Sequence, residues 1–315
     1  MNAVRDGLNV ERRLLSDAVA CLNEIVLGKD RQVRLALTCL LARGHLLIED
    51  IPGVGKTTLA HSLARVLGLG FQRIQFTSDL LPADVIGVSV YDRASGKFQF
   101  HKGPVFAELV LADEVNRATP KAQSALLEAM EERQVTVDGH TLALPDPFFV
   151  VATQNPSFQI GTFPLPESQL DRFLMRIELG YPSAALERRL LTGRDRRDLV
   201  AGLEAVMRPA DLLRLQQRVA DVHASDALLD YVQAVTRYSR ASGRFHAGLS
   251  PRASVALLRA AQAWAMLAGR AGVLPEDVQT VLPGVVGHRL RPRDAADRRT
   301  PADIAQSVLE AVPIP

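Results

Sequence analysis

The stretch HLLIEDIPGVGKTTLAHSLARVLG, residues 45 to 68, constrains this chain more than any other. It sets a short apolar run against a glycine-bearing loop, and the loop against a helix-spaced segment that stops at Gly68. Strand-like runs recur at FQRIQF (71–76), ELVLAD (108–113), FFVVAT (148–153) and LMRIEL (174–179). Helical stretches such as PKAQSALLEAMEER (120–133) separate most of them. Short apolar strands alternating with helices predict an α/β fold with a parallel, doubly wound sheet.

Two segments interrupt that alternation. VIGVSVYDRASGKFQF (85–100) and QVTVDGHTLAL (134–144) read as hairpins inserted between sheet elements, turning at RASG and at Asp138-Gly139. Two helices, about 9–26 and 30–43, precede the first strand. After about residue 193 the strand signals stop, and helical patterns fall at roughly 210–222, 226–241, 251–268, 275–288 and 302–311. The expected division is an α/β domain over 1–192 and a helical domain over 193–315, with the boundary near LTGRDRRD.

Composition narrows the partners. Lys plus Arg number 37 against 35 for Asp plus Glu, so no basic excess argues for nucleic acid. The opening MNAVRDGLNVERRLL lacks a signal-like apolar segment, and no apolar run reaches the roughly eighteen residues of a membrane span. No membrane insertion is expected, and the expected location is cytoplasmic. Cys21 and Cys39 lie in apolar, helix-spaced segments without neighbouring ligand residues, the setting of structural thiols.

The loop after the first strand has the makings of a phosphate cradle. Gly53 and Gly55 let backbone N–H groups turn inward, Lys56 supplies a point charge, and Thr57 offers a hydroxyl to Mg²⁺. The helix that follows presents its positive dipole end, and Pro52 keeps Ile51 extended. Asp50 stands where the pattern G-x-x-x-x-G-K-[ST] has its first glycine. A carboxylate facing phosphate would be repelled, so Asp50 is expected to turn away, toward backbone donors. Without a ligand, the same loop is a glycine-rich turn.

The other candidates stand at strand ends. Asp113 can hold Mg²⁺ and Glu114 can polarise water; alone, such a pair reads equally as solvated surface. Asn155 could orient the same water, although Asn before Pro is also a common turn residue. Arg172 has no evident acidic partner in its own site, the plain alternative being a surface salt bridge. Ser250 and Pro251 form a helix start that puts Arg252 in the first turn, where a cation opposes the dipole unless an anion lies outside.

With LADEVNRATPKAQSALLEAMEERQVTVDG and ATQNP followed by LPESQLDRFLMRIELGYP, the chain resembles the MoxR-type AAA+ ATPases from about Val26 to Arg291. That clade carries an insert in its second helix and includes the magnesium-chelatase ATPase subunits. The resemblance implies a P-loop AAA+ domain, three-layer αβα with a parallel sheet, followed by an all-α lid. It implies ATP and Mg²⁺ as cofactors, with Pro52, Gly53, Val54, Gly55, Lys56, Thr57 and Thr58 on the nucleotide and Thr57 and Asp113 on the metal. Glu114 is then the catalytic base, Asn155 sensor 1, Arg172 the finger reaching a neighbouring subunit, and Arg252 sensor 2 on the lid. Gly28, in IVLGKD, would border the adenine. The hairpins at 85–100 and 134–144 resemble the helix-2 insert and the hairpin before sensor 1. An acidic residue before I-P-G-V-G-K-T is usual in this family, which makes Asp50 ordinary, while Arg117 receives no role.

The resemblance further implies a chaperone-like remodelling or maturation factor. It would assemble as a homo-oligomeric ring, commonly a hexamer, act on a protein client and work with a partner bearing a von Willebrand factor A domain. A chelatase-type motor inserting metal or cofactor shares the mechanism. A nucleic-acid motor calls for basic hairpins, yet 134–144 has no Lys or Arg, and 85–100 has only Arg93 and Lys97. An idle nucleotide-binding scaffold would have no use for Glu114 and Arg172.

Overall fold

The computed structural model describes residues 2–155, 162–193, 195–294, 297 and 299–314, with side chains from residue 9 onward. Helices α1 (Asn2–Ile25) and α2 (Asp30–Leu41) lead into strand β1 (Leu46–Glu49), helix α3 (Lys56–Val66) and strand β2 (Phe71–Gln75). A short helix α4 (Pro82–Ile86) opens the first hairpin, β3 (Gly87–Asp92) with β4 (Lys97–Lys102). Strand β5 (Leu109–Asp113) and helix α5 (Pro120–Glu132) precede the second, β6 (Gln134–Val137) with β7 (His140–Ala143). Strand β8 (Phe149–Gln154), helix α6 (Glu167–Leu170) and strand β9 (Met175–Ile177) complete the sheet. Helices α7 (Ala184–Thr192), α8 (Arg196–Ala201), α9 (Pro209–Val219), α10 (Asp226–Ala241), α11 (Pro251–Leu267), α12 (Pro275–Val286) and α13 (Pro301–Ala311) follow.

The sheet is parallel throughout, in the order β2-β5-β8-β1-β9. Its central strands are apolar because both faces are covered. Leu46, Ile48, Leu109, Leu111 and Val151 face one cluster with α1 to α3. Leu47, Val110, Ala112, Val150 and Ala152 face another built on α5. This alternation is the two-residue period of a strand. The order brings the carboxyl ends of β5, β8 and β1 side by side, and ligands of open α/β sheets bind at that edge.

Both inserted hairpins are present. Asp138 and Gly139 take positive φ values of 50° and 78°, the left-handed pair that a two-residue turn needs. In the other turn, Ala94 N and Ser95 Oγ donate to Asp92. The helices α4, α7 and α8 have no counterpart among the predicted elements; helices this short carry too few turns to print a 3.6-residue period.

The predicted boundary near residue 193 falls between α7 and α8, and apolar packing continues across it. One apolar cluster runs from Leu46 and Leu63 on the sheet side through Leu212, Val232, Leu257, Val281 and Val308. Gln216 also donates across to the Leu40 carbonyl at 2.8 Å. Cys39 is buried and Cys21 half-buried, both free thiols. Among the described residues, no helix is long and apolar enough to cross a membrane.

His45, at the start of β1, gives this core a pH dependence. Its Nδ1 accepts from Val150 N at 3.0 Å, and its Nε2 lies 3.3 Å from the Met130 carbonyl, to which it donates. Burial pulls its pKa down to about 4 against the opposing effect of that carbonyl. The unfolded chain takes up a proton near pH 6.5, whereas the folded chain resists until about pH 4. The His45 contribution to stability is therefore complete above pH 6.5 and is lost as pH drops toward 4. Urea midpoints measured across this interval should decline, and His45→Gln should lessen the decline, the buried His288 carrying its own share.

Candidate nucleotide site

The loop between β1 and α3 forms an open cradle. Gly53 and Gly55 have φ values of 85° and 97°, where a side chain is strained, and a Cβ on either would meet nothing within 4 Å. The concave space lies at the N-terminus of α3, where an anion is favoured by dipole and free N–H groups. Pro52 and Thr57 are exposed, and Val54 and Thr58 half-buried, around it. Lys56 is buried; its ammonium donates to the carbonyls of Asp50 and, at 3.1 Å, Ile51, and to Asn155 Oδ1 at 3.3 Å. Burial lowers the Lys56 pKa, opposed by the negative charges of Asp50, Asp113, Glu114 and Glu49.

Asp50 turns to backbone donors as expected, but they extend beyond its own loop. Oδ1 accepts from Ile51 N at 2.8 Å, while Oδ2 accepts from Leu179 N at 2.7 Å and Gly180 N at 2.6 Å.

The acidic pair lies at the end of β5, beside β8. Asp113 accepts from Thr153 Oγ1 at 2.6 Å and from Arg73 at 2.7 and 3.1 Å. Glu114 adopts a left-handed conformation (φ 56°), costly for a non-glycine residue and typical of functional positions. Its N–H donates to the same Thr153 hydroxyl at 2.9 Å. Its carboxylate accepts from Asn155 at 3.2 Å, Gln75 at 3.1 Å and Arg117 at 3.0 Å. Asn155 thus links Lys56 to Glu114 through the two ends of one amide, and Arg117 gains a partner that the sequence left unassigned.

Arg73, Gln75 and Thr153 went unrecognised in the sequence. The polar positions of FQRIQF look like an exposed strand face. Only the parallel register, which sets Gln75 opposite Asp113, brings them to the carboxylates.

Thr57 and Asp113 supply a hydroxyl and a carboxylate, both hard oxygen donors. Among the described residues no group of three or more His, Cys, Asp or Glu could hold a metal alone. A cation taking one carboxylate, one hydroxyl and substrate phosphates fits Mg²⁺.

The two arginines gather at the C-terminal end of α5. Helix α5 starts beside the acidic pair and runs back along the sheet; from Pro120 to Glu131 it covers about 16 Å. Arg172 precedes β9, and its Nε lies 4.0 Å from Glu131 Oε2, so it has an acid partner after all. Arg252 pairs with the other oxygen of the same carboxylate. Arg252, expected as sensor 2 on the lid, is here held by its own chain's Glu131, with the start of α11 at the entry to β9. Asp171 fixes this corner, accepting from Ser250 Oγ at 3.0 Å and from Arg289 at 2.6 Å. Ser250 caps α11 through Ala253 N at 3.0 Å.

Gly28 has φ 68°, and a Cβ there would collide with the Leu186 methyl group. The close approach at Gly28 is made by the chain's own side chain.

A five-stranded parallel sheet in this order, with a glycine cradle at its carboxyl edge and a helical domain behind it, defines the AAA+ class of P-loop fold. The profile of the ATPase family associated with various cellular activities (AAA) matches residues 45–175, and that of the AAA lid domain matches 237–308. The crystal structure of an ATPase candidate from Cytophaga hutchinsonii superposes with a TM-score of 0.89 at 34% identity, covering 100% of this chain and 98% of the other. Chaperone MoxR1 of Mycobacterium tuberculosis is 42% identical over 98% of this chain and 85% of its own length. Protein MoxR of Paracoccus denitrificans is 34% identical over 95% and 96%, and the uncharacterized protein YeaC of Bacillus subtilis 46% identical over 96% and 95%. The chain belongs to the MoxR family of AAA+ ATPases.

Proposed function

We propose that this protein hydrolyses ATP to drive the remodelling or maturation of a protein client, from a homo-oligomeric ring whose active sites lie between subunits. Lys56 and the cradle from Pro52 to Thr58 bind the phosphates, with Gly28 at the base end. Thr57 and Asp113 hold Mg²⁺, which neutralises phosphate charge when bound. Glu114 draws the proton from the attacking water, and Asn155 orients that water beside it.

The observation that carries the reading is the separation of charges. Lys56, Asp113, Glu114 and Asn155 converge at the carboxyl edge of the sheet, while Arg172 and Arg252 share Glu131 at the far end of α5. Two guanidinium groups on one carboxylate leave a surplus positive charge. Both are exposed enough, at 30% and 46%, to meet an anion on an adjoining subunit. A head-to-tail contact that brings the two ends together closes into a ring when the rotation permits.

The β3–β4 hairpin favours a protein client. It exposes Val88, Val90, Tyr91 and Phe98, the last at 73%. The family resemblance adds a hexamer and a von Willebrand factor A domain partner to the proposal. Turnover per subunit should fall on dilution in step with loss of the oligomer by sedimentation. A monomer that hydrolyses ATP at the full rate would overturn the shared site.

A further inference from the structure

Asp50 replaces a glycine of the phosphate-loop pattern, and the chemistry proposed above gives its carboxylate no task. We propose that Asp50 is a positioning residue: it ties the phosphate loop to the strap formed by residues 178–186 and so holds the two ends of the nucleotide cleft in register. The inference rests on the ATP-binding reading.

One carboxylate oxygen serves the loop through Ile51 N, and the other gathers two successive N–H groups of the strap, Leu179 and Gly180. Gly180, at φ 66°, turns the chain there. Beyond it the Tyr181 carbonyl accepts from Lys29 Nζ at 2.9 Å. Leu186, in the first turn of α7, then reaches Gly28, where a missing Cβ makes the room. The strap therefore runs from the phosphate end of the cleft to the Gly28–Lys29 segment at its other end.

The first part of this path is held at several points, and its continuation into α7 more lightly. Leu179 is buried at 1%, Arg176 pairs with the Glu178 carboxylate at 2.7 Å and Gln32 Nε2 donates to the Glu178 carbonyl at 3.3 Å, whereas helix α7 has no fully buried residue. Hydrogen bonds to a carboxylate are roughly twice as strong as neutral ones, so the two that Asp50 accepts are the firmest of the strap's backbone hydrogen bonds, and they lead to the phosphate loop. The Asp50 carbonyl also accepts from Lys56, so the residue that anchors the strap also holds the phosphate-binding ammonium.

The test compares Mg-ATP with Mg-tripolyphosphate by titration calorimetry. Tripolyphosphate engages the phosphate end alone, whereas ATP also uses the Gly28 end. In Asp50→Gly, tripolyphosphate affinity should stay within about twofold of wild type, while ATP affinity falls about tenfold toward that of tripolyphosphate. Asp50→Asn, with one amide oxygen for either the loop or the strap, should fall between. Leu186→Ala should weaken ATP and leave tripolyphosphate alone. An unchanged ATP advantage in both Asp50 variants overturns the proposal. Equal loss of both ligands also overturns it, making Asp50 part of the loop scaffold only. If Asp50→Gly does not fold, the Asn variant decides. A wild-type chain that binds neither ligand overturns the ATP-binding reading itself.

Discussion

Glu114→Gln should bind ATP as the wild type does and hydrolyse it roughly 10² to 10⁴ times more slowly, the share usually carried by a positioned base. The substitution keeps the side chain's length and one oxygen acceptor for Asn155, Gln75 or Arg117, so the surrounding network loses little. It removes the charge that draws a proton from water. Lys56→Ala marks the contrast: it deletes the buried ammonium at the cradle and should abolish binding itself. Nucleotide titration and phosphate release separate the two effects. Turnover in Glu114→Gln comparable to wild type would remove Glu114 from the chemistry.

The second large effect concerns Arg172. A guanidinium stabilises charge spreading over the equatorial oxygens of the transferred phosphoryl group, and one supplied by a neighbour is worth about 10³ to 10⁵ in rate. Arg172→Ala should therefore be nearly inactive while its own cradle and acidic pair remain intact. Mixed with Glu114→Gln chains it should recover activity, because some interfaces then pair an intact Glu114 with an intact Arg172. Since Arg252 sits on the same Glu131 carboxylate, Arg252→Ala should show the same recovery. Mixed oligomers that form and stay inactive would place these arginines outside the reaction.

The sequence made the strands and the cradle plain because their signals are local. The run LLIE, the glycine loop and the helix behind it lie within about twenty residues, and the Asp138-Gly139 turn needs only its own two residues. What could not be read locally depends on register and packing. Arg73 and Gln75 reach the acidic pair only through the β2–β5 pairing. Glu131 looks like one more helix surface charge until the turn after α6 and the start of α11 bring two arginines to it. The Asp50 position showed a departure from the pattern and a reason for the carboxylate to turn aside. The partners at Leu179 and Gly180 lie 129 and 130 residues away, beyond the range of any local rule. The apolar packing between the sheet and the helical segment was hidden for the same reason, since a change from strands to helices does not say whether the apolar faces meet.

The shared Glu131 carries a consequence for assembly. In a lone subunit it gives both arginines an internal counterion, so nothing compels them to seek a neighbour. A nucleotide in the adjoining cradle offers them a denser negative charge, available only once the subunits have met. In the proposed ring such a ligand would bind the assembled state in preference to its parts and act as mass-action glue, so the ring population should rise with ATP and decline as phosphate is released. Hydrolysis, on this account, turns over the oligomer as well as the substrate.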